Sequence, residues 1–87
     1  MLLTPAEIEM ALRSLPGWSS DGMSLRRTYT FTGFPEAVAF VNRLAGPAEA
    51  QGHHPDISVS YNRVTLSLTT HDAGGLTAKD LALARAL

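Results

Sequence analysis

The chain contains no cysteine, so neither a disulfide framework nor a thiolate-based metal site is available to it. It has no apolar run of bilayer-spanning length and no signal-peptide pattern, which leads us to expect a cytoplasmic protein with no membrane partner. Cationic residues are few and scattered: seven Lys and Arg against eight Asp and Glu give a net charge of −1. A nucleic-acid-binding surface normally carries a basic patch, so no nucleic-acid partner is expected. Linkers, repeats and low-complexity segments are also missing. With 87 residues we expect a single domain spanning 1–87. At this size only about 60–65% of the unfolded surface can be buried, and small domains often gain stability by oligomerising.

What the chain does have is concentrated. All three of its histidines fall in one segment: His53 and His54 side by side before Pro55, and His71 seventeen positions after His54. Imidazole is the side chain whose unperturbed pKa, about 6.5, lets it exchange protons near neutrality. Such a concentration points to a proton-transfer site, provided the fold brings the rings together.

A hairpin is expected to do so. Ile57, Val59 and Tyr61 alternate with polar residues, as do Val64, Leu66 and Leu68; period-2 alternation marks half-buried strands. With Asn62-Arg63 as a two-residue turn, Tyr61 faces Val64, Val59 faces Leu66 and Ile57 faces Leu68. That register puts every apolar pair on one face and sets His54 opposite His71 on the other. For His53 to join them, the chain must bend at Gly52-His53, where a helix ends and Gly makes the bend cheap.

Local signals supply the remaining elements. Thr4-Pro5-Ala6-Glu7 is a capping box that starts a helix carrying Ile8, Leu12 and Leu15 on one face, until Pro16-Gly17 stops it. Trp18 to Ser20, a turn at Asp21-Gly22, and Met23 to Phe31 read as another hairpin. Pro35 opens a second helix with Val38, Val41, Leu44 or Ala45, and Ala48 on its apolar stripe. Gly46-Pro47 should kink or break it, because an internal Pro removes a hydrogen bond. Thr77 to Asp80 is a second capping box and begins the third helix. The order αββαββα implies an α+β fold, a four-stranded antiparallel sheet with helices on one face.

The run Glu49-Ala-Gln-Gly-His53-His54-Pro55, then Tyr61, Thr70-His71 and Gly75-Leu76-Thr77-Ala-Lys-Asp80 resembles the pterin-4a-carbinolamine dehydratases. The likeness extends upstream to Gly17-Trp18, Tyr29-Thr-Phe31 and Phe34, and so covers nearly the whole chain. Family members often carry an acid before the His pair and an Arg before the late Asp; this chain has Gly52 and Lys79. The resemblance implies loss of water from a 4a-hydroxy-tetrahydropterin to give the quinonoid dihydropterin. It implies a small-molecule pterin substrate, no cofactor and no metal. It places His53, His54 and His71 in catalysis, with Glu49, Pro55, Thr70 and Asp80 binding or orienting. It further implies a homodimer or homotetramer, for which a hairpin strand or the long helix offers a two-fold contact. Relatives of this family also include non-catalytic binding modules and assembly factors, the alternative reading.

Each residue has a plainer explanation to weigh. Two or three histidines near Asp56 or Asp72 could hold zinc, but closed sites usually want a fourth ligand and often Cys. Asp80 is the third residue of a capping box and needs no further task. Glu49 is different: an acid near a helix C-terminus is opposed by the helix dipole, which hints at a local purpose such as orienting an imidazole. Trp18, Phe34 and Tyr61 read as core residues.

Overall fold

A computed structural model describes residues 1–87. In chain order it contains α1 (Pro5–Leu12), β1 (Ser19–Ser20), β2 (Leu25–Thr30), α2 (Phe34–Gln51), β3 (Asp56–Ser60), β4 (Arg63–Leu68), a short 3-10 helix (His71–Ala73) and α3 (Ala78–Ala86). The strands form one antiparallel sheet in the order β1-β2-β4-β3, and the three helices cover one face of it, as the αββαββα order implies. No helix is long and apolar enough to cross a membrane.

The two capping boxes start their helices as read. Thr4 and Glu7 exchange bonds at the head of α1, with Glu7 N donating to Thr4 Oγ1 and Thr4 N to Glu7 Oε1. Such reciprocity satisfies two backbone donors that a helix otherwise leaves orphaned. The core lies between sheet and helices. Leu25, Val64, Leu66 and Leu68 from the central strands are fully buried against Leu44 of α2 and Leu83 of α3. Burying a Leu or Val side chain stabilises by about 1.5–3 kcal/mol, so this layer holds the helices over the sheet. Trp18 belongs to the same cluster.

α2 runs as one helix through Gly46-Pro47, so of the expected kink or break the break does not occur. Pro47 cannot bond the Arg43 carbonyl, but Arg43 is on the exposed side of the helix, where water can serve that oxygen. Leu44 and Ala48, on either side of Pro47, are both buried, and their packing carries the helix across. The buried stripe is also rotated from the expected one: Ala37 is inside, whereas Val38 and Phe34 are 38% and 51% exposed. Phe34 is therefore no core residue; as the first residue of α2 it faces solvent.

The hairpin register differs from the expected one by two residues. The ladder pairs Ser60 with Arg63, Val59 with Val64 and Ile57 with Leu66, so the turn is Tyr61-Asn62. Tyr61 adopts a positive φ of 53° and is 69% exposed rather than packed on Val64. Asn62 is occupied elsewhere: its Nδ2 donates to the Phe31 carbonyl and its own carbonyl accepts from Phe31 N. This clasp to the end of β2 holds the turn one residue earlier. A slip of two residues leaves every apolar side chain on the same face, so the alternation could not distinguish the two registers.

Tyr29, Phe31 and Phe40 form an aromatic cluster, Tyr29 and Phe40 with centroids 4.5 Å apart. The Arg27 guanidinium lies over the Tyr29 ring, 4.3 Å from its centroid. The Tyr29 hydroxyl is buried without a hydrogen-bond partner. Desolvation raises its pKa above the usual phenolic value, and the Arg27 charge offsets this only in part.

Candidate active site

The slipped register removes the direct opposition of His54 and His71. The ladder ends at Asp56 and Ser67. His54 lies just before β3, and His71 lies beyond β4 on the 3-10 helix rather than in a strand. Yet the three histidines still line one cavity, because two loops come together at this end of the sheet.

The first loop is the end of α2. Gly52 takes the left-handed conformation, φ 61° and ψ 30°, and His53 N donates back to the Ala48 carbonyl at 3.1 Å. This is the helix stop that a C-terminal Gly permits, and it supplies the bend expected at Gly52-His53. The second loop runs from Thr70 to Gly75, which bond each other across its base. Gly74, at φ 77°, closes the 3-10 turn by donating to the His71 carbonyl.

Between the loops is an open cavity of about 260 Å³ with no hydrophobic residue in its wall. His53, His54 and His71 all line it, together with Thr70, Asp72 and Lys79. A larger concavity, about 520 Å³, lies between α1 and α3. Its wall is mostly aliphatic, its carboxylate (Glu7) is already engaged in the α1 capping box, and it holds none of the histidines.

Two of the imidazoles are held by carboxylates. His53 Nε2 is 2.6 Å from Asp80 Oδ1, with side-chain exposures of 11% and 0%. His54 Nε2 is 2.6 Å from Glu49 Oε1, both well exposed at 62% and 77%. An ionised carboxylate only accepts hydrogen bonds, so each Nε2 carries the proton and each Nδ1 is left as the free nitrogen of the neutral ring. The His53–Asp80 pair is nearly dry and therefore rigid. The His54–Glu49 pair is solvated, contributes about 0–1 kcal/mol, and serves to orient the ring.

Asp80 does two jobs. Its Oδ2 accepts from Thr77 N at 2.9 Å, closing the α3 capping box, and from Thr70 Oγ1 at 2.8 Å. Because the Thr70 proton is committed to Asp80, the 2.7 Å contact between Thr70 and Thr77 must be donated by Thr77. A directed chain results: Thr77 hydroxyl to Thr70 hydroxyl to Asp80 carboxylate, which also receives the His53 N–H. The capping-box reading of Asp80 is correct but incomplete, since the other oxygen faces an imidazole. Thr77 was legible only as a cap; nothing in its spacing announced the bond to Thr70.

The other expected residues divide. Glu49 touches His54 but not the cavity wall, and Asp80 lies beneath it, fully buried. Pro55 is half-buried, outside the wall, and passes the chain from His54 into β3. No group of three or more His, Asp or Glu side chains converges on a metal-binding geometry. Chemically, the arrangement offers three imidazoles around one small polar cavity, two of them hydrogen-bonded to carboxylates through Nε2.

The chain matches the family model described as Pterin 4 alpha carbinolamine dehydratase over residues 1–87. A protein of Thermosynechococcus vestitus with a provisional pterin-4-alpha-carbinolamine dehydratase name is 56% identical over 85 residues, 98% of this chain and 90% of that protein. One from Thermomicrobium roseum, named likewise, is also 56% identical, over 98% of this chain and 91% of its own. Among solved structures, a transcriptional coactivator/pterin dehydratase from Brucella melitensis is similar with a TM-score of 0.92 and 39% identity, covering 99% of this chain and 94% of that one. A pterin dehydratase-like RuBisCO assembly factor of the alpha-carboxysome shares the fold at a TM-score of 0.63 and 21% identity, over 79% and 80% of the two chains.

Proposed function

Because the chain belongs to the pterin-4a-carbinolamine dehydratase family, we propose that it dehydrates a 4a-hydroxy-tetrahydropterin to the quinonoid dihydropterin by histidine acid–base catalysis. The convergence of His53, His54 and His71 on one polar cavity carries this reading. In the reaction a protonated imidazole gives its proton to the 4a-hydroxyl, and the carbon–oxygen bond breaks with release of water. The adjacent ring nitrogen forms the new carbon–nitrogen double bond, and its proton passes to a second, neutral imidazole. Groups that titrate near the working pH do both transfers well, each worth typically 10²–10⁴-fold. Asp80 and Glu49 engage Nε2 of two of the rings, which leaves Nδ1 as the nitrogen free to work on the substrate. A wall without hydrophobic residues suits a ring system rich in donors and acceptors, and admits the water that leaves.

The test is direct. Chemically generated 4a-carbinolamine mixed with the intact protein should dehydrate faster than in buffer, and a chelator should leave that rate unchanged. No acceleration would favour a binding module of the same fold, and loss of rate on chelation would favour a metal.

We propose further that the chain works as a homodimer through β3. This edge strand pairs only with β4, and all five of its residues are exposed. Ile57 and Val59 share the helix-covered face yet remain 41% exposed, as does much of Phe34 and Val38 on α2. An uncovered apolar edge invites strand pairing, and an antiparallel strand can pair with its own copy across a two-fold axis. Light scattering should return a dimer for the native chain and a monomer for Val59→Lys; a native monomer at tens of micromolar would exclude it.

A further inference from the structure

The groove between α1 and α3, about 520 Å³, falls within the roughly 300–1,000 Å³ usual for small-molecule sites and takes no part in the proposed dehydration. Ala6 and Met10 stand one turn apart on α1, Leu81 and Arg85 one turn apart on α3, and Leu3 completes the wall. Met10 is left 63% exposed there, and a flexible thioether adapts readily to an apolar ligand.

The charges are arranged along this groove. Towards the α1 N-terminus, Glu7 spends its carboxylate on the capping box. At the other end the groove continues into a smaller cavity of about 220 Å³, with which it shares Ser14 and Arg85. Here Arg27 of β2 joins Arg85 beside Leu15, Trp18 and Ala84. Arg27 is held in place: its guanidinium lies 4.3 Å from the Tyr29 ring centroid, and a side chain at Gly17 would put its Cβ 2.9 Å from Arg27 Nε. Gly17, at a φ of 85°, is the residue that leaves it this room. Neither guanidinium is paired with a carboxylate, since the ion pairs of this chain are His53–Asp80 and His54–Glu49. Two unpaired cations, one fixed by its packing, therefore border an apolar groove. From Ser14 back to Glu7 that groove runs about 10 Å at the helical rise of about 1.5 Å per residue.

We propose that this groove binds a medium-chain aliphatic carboxylate, with its head between Arg27 and Arg85 and its chain along Met10 and Leu81 towards Glu7. The planar forks of the two guanidiniums match a carboxylate. A cationic head would be repelled, and a neutral one would leave both cations without a partner. A phosphate dianion would cost more to bring against the apolar wall than a single negative charge does.

Titration of ¹⁵N-labelled protein with octanoate, octan-1-ol, octylamine and octyl phosphate reads affinity and location together. At low salt the native protein should bind octanoate about tenfold more tightly than the alcohol or the amine, and high salt should erase most of that difference. Shifts should gather at Met10, Ser14 and Arg85 and spare His54 and His71. Arg85→Met should lose most of the preference for octanoate while binding octan-1-ol as the native protein does, with the rate of 4a-carbinolamine dehydration unchanged. Arg27→Lys, which keeps the charge but not the fork, should weaken octanoate less. Arg85 and Met10 are both exposed, so a second variant, Met10→Glu, serves independently: it should weaken octanoate and favour octylamine. No binding, equal affinity for the probes, tighter binding of octyl phosphate, or shifts centred on Val38 and Val59 would overturn the proposal. So would octanoate splitting an oligomer by light scattering, which would make a second copy of the chain the occupant. None of these results bears on the dehydratase reading.

Discussion

Replacing Asp80 by Asn separates the structural and functional duties of one side chain. The carboxylate is fully buried and accepts from His53 Nε2, Thr70 Oγ1 and Thr77 N. Alanine would strip three buried donors of their acceptor at about 1–3 kcal/mol each. That approaches the roughly 4–13 kcal/mol total expected for a domain of this size, so the alanine variant would be uninformative. Asparagine keeps the volume and one acceptor oxygen. If that oxygen stays on Thr70 and Thr77, the amide NH₂ faces His53 Nε2, which must then accept. The proton moves to Nδ1, the nitrogen proposed to work on the substrate. A charge-assisted bond of about 1.5–3 kcal/mol gives way to a neutral one of about 0.5–1.5, a loss of about 1–2 kcal/mol. At about 4–8 °C per kcal/mol, the Tm should fall by roughly 5–15 °C, leaving a folded protein at 25 °C. The rate should fall much further, by about 10²-fold, because a wrongly protonated imidazole loses its share of acid–base catalysis. Thermal melts, single-turnover kinetics and ¹⁵N spectra of the imidazoles read the three effects. An Asp80→Asn protein with native kcat and an inverted His53 tautomer would refute the reasoning.

Tyr29→Phe should be neutral or stabilising by up to about 1 kcal/mol, since it removes a buried hydroxyl that has no partner at little cost in packing; denaturant melts would decide, and a clear loss of stability would mean the hydroxyl is satisfied. Asp21 accepts from the backbone N–H groups of Met23 and Ser24 at 2.8 Å each, and these bonds hold its carboxyl below the ordinary value of 3.8. A lowered folded-state pKa adds stability above the unfolded value that is lost as pH falls through the folded one, so the β1–β2 turn should loosen only below about pH 4. A ¹³C titration of the Asp21 carboxyl with a midpoint at or above 3.8 would contradict this.

The elements that sequence made legible are those with a local cause. Both capping boxes, the Gly52 stop and the alternation of β4 depend on a few neighbouring residues, and each stands where expected. What escaped depended on distant partners. The hairpin register turned on Asn62 reaching Phe31, thirty-one residues away, and the period-2 pattern is blind to a two-residue slip. The three histidines line one cavity, but not by the expected route: the α2 stop and the Thr70–Gly75 loop bring them to it, not opposition across a ladder. Pro47 does not break α2 because its cost is local whereas its remedy, the packing of Leu44 and Ala48, is tertiary. The exposure of Phe34, Tyr61, Ile57 and Val59 could not be read from their apolar character, since a lone chain's periodicity does not say which face lacks a cover.

The proposed catalysis requires the three imidazoles to share one substrate. Single-turnover dehydration of the 4a-carbinolamine by the native protein and by His53→Ala, His54→Ala and His71→Ala, each shown to be folded, measures this most directly. At least two of the variants should lose about 10²-fold or more in rate while still binding an oxidised pterin. Native rates in all three would mean that the rings surround the cavity without working in it.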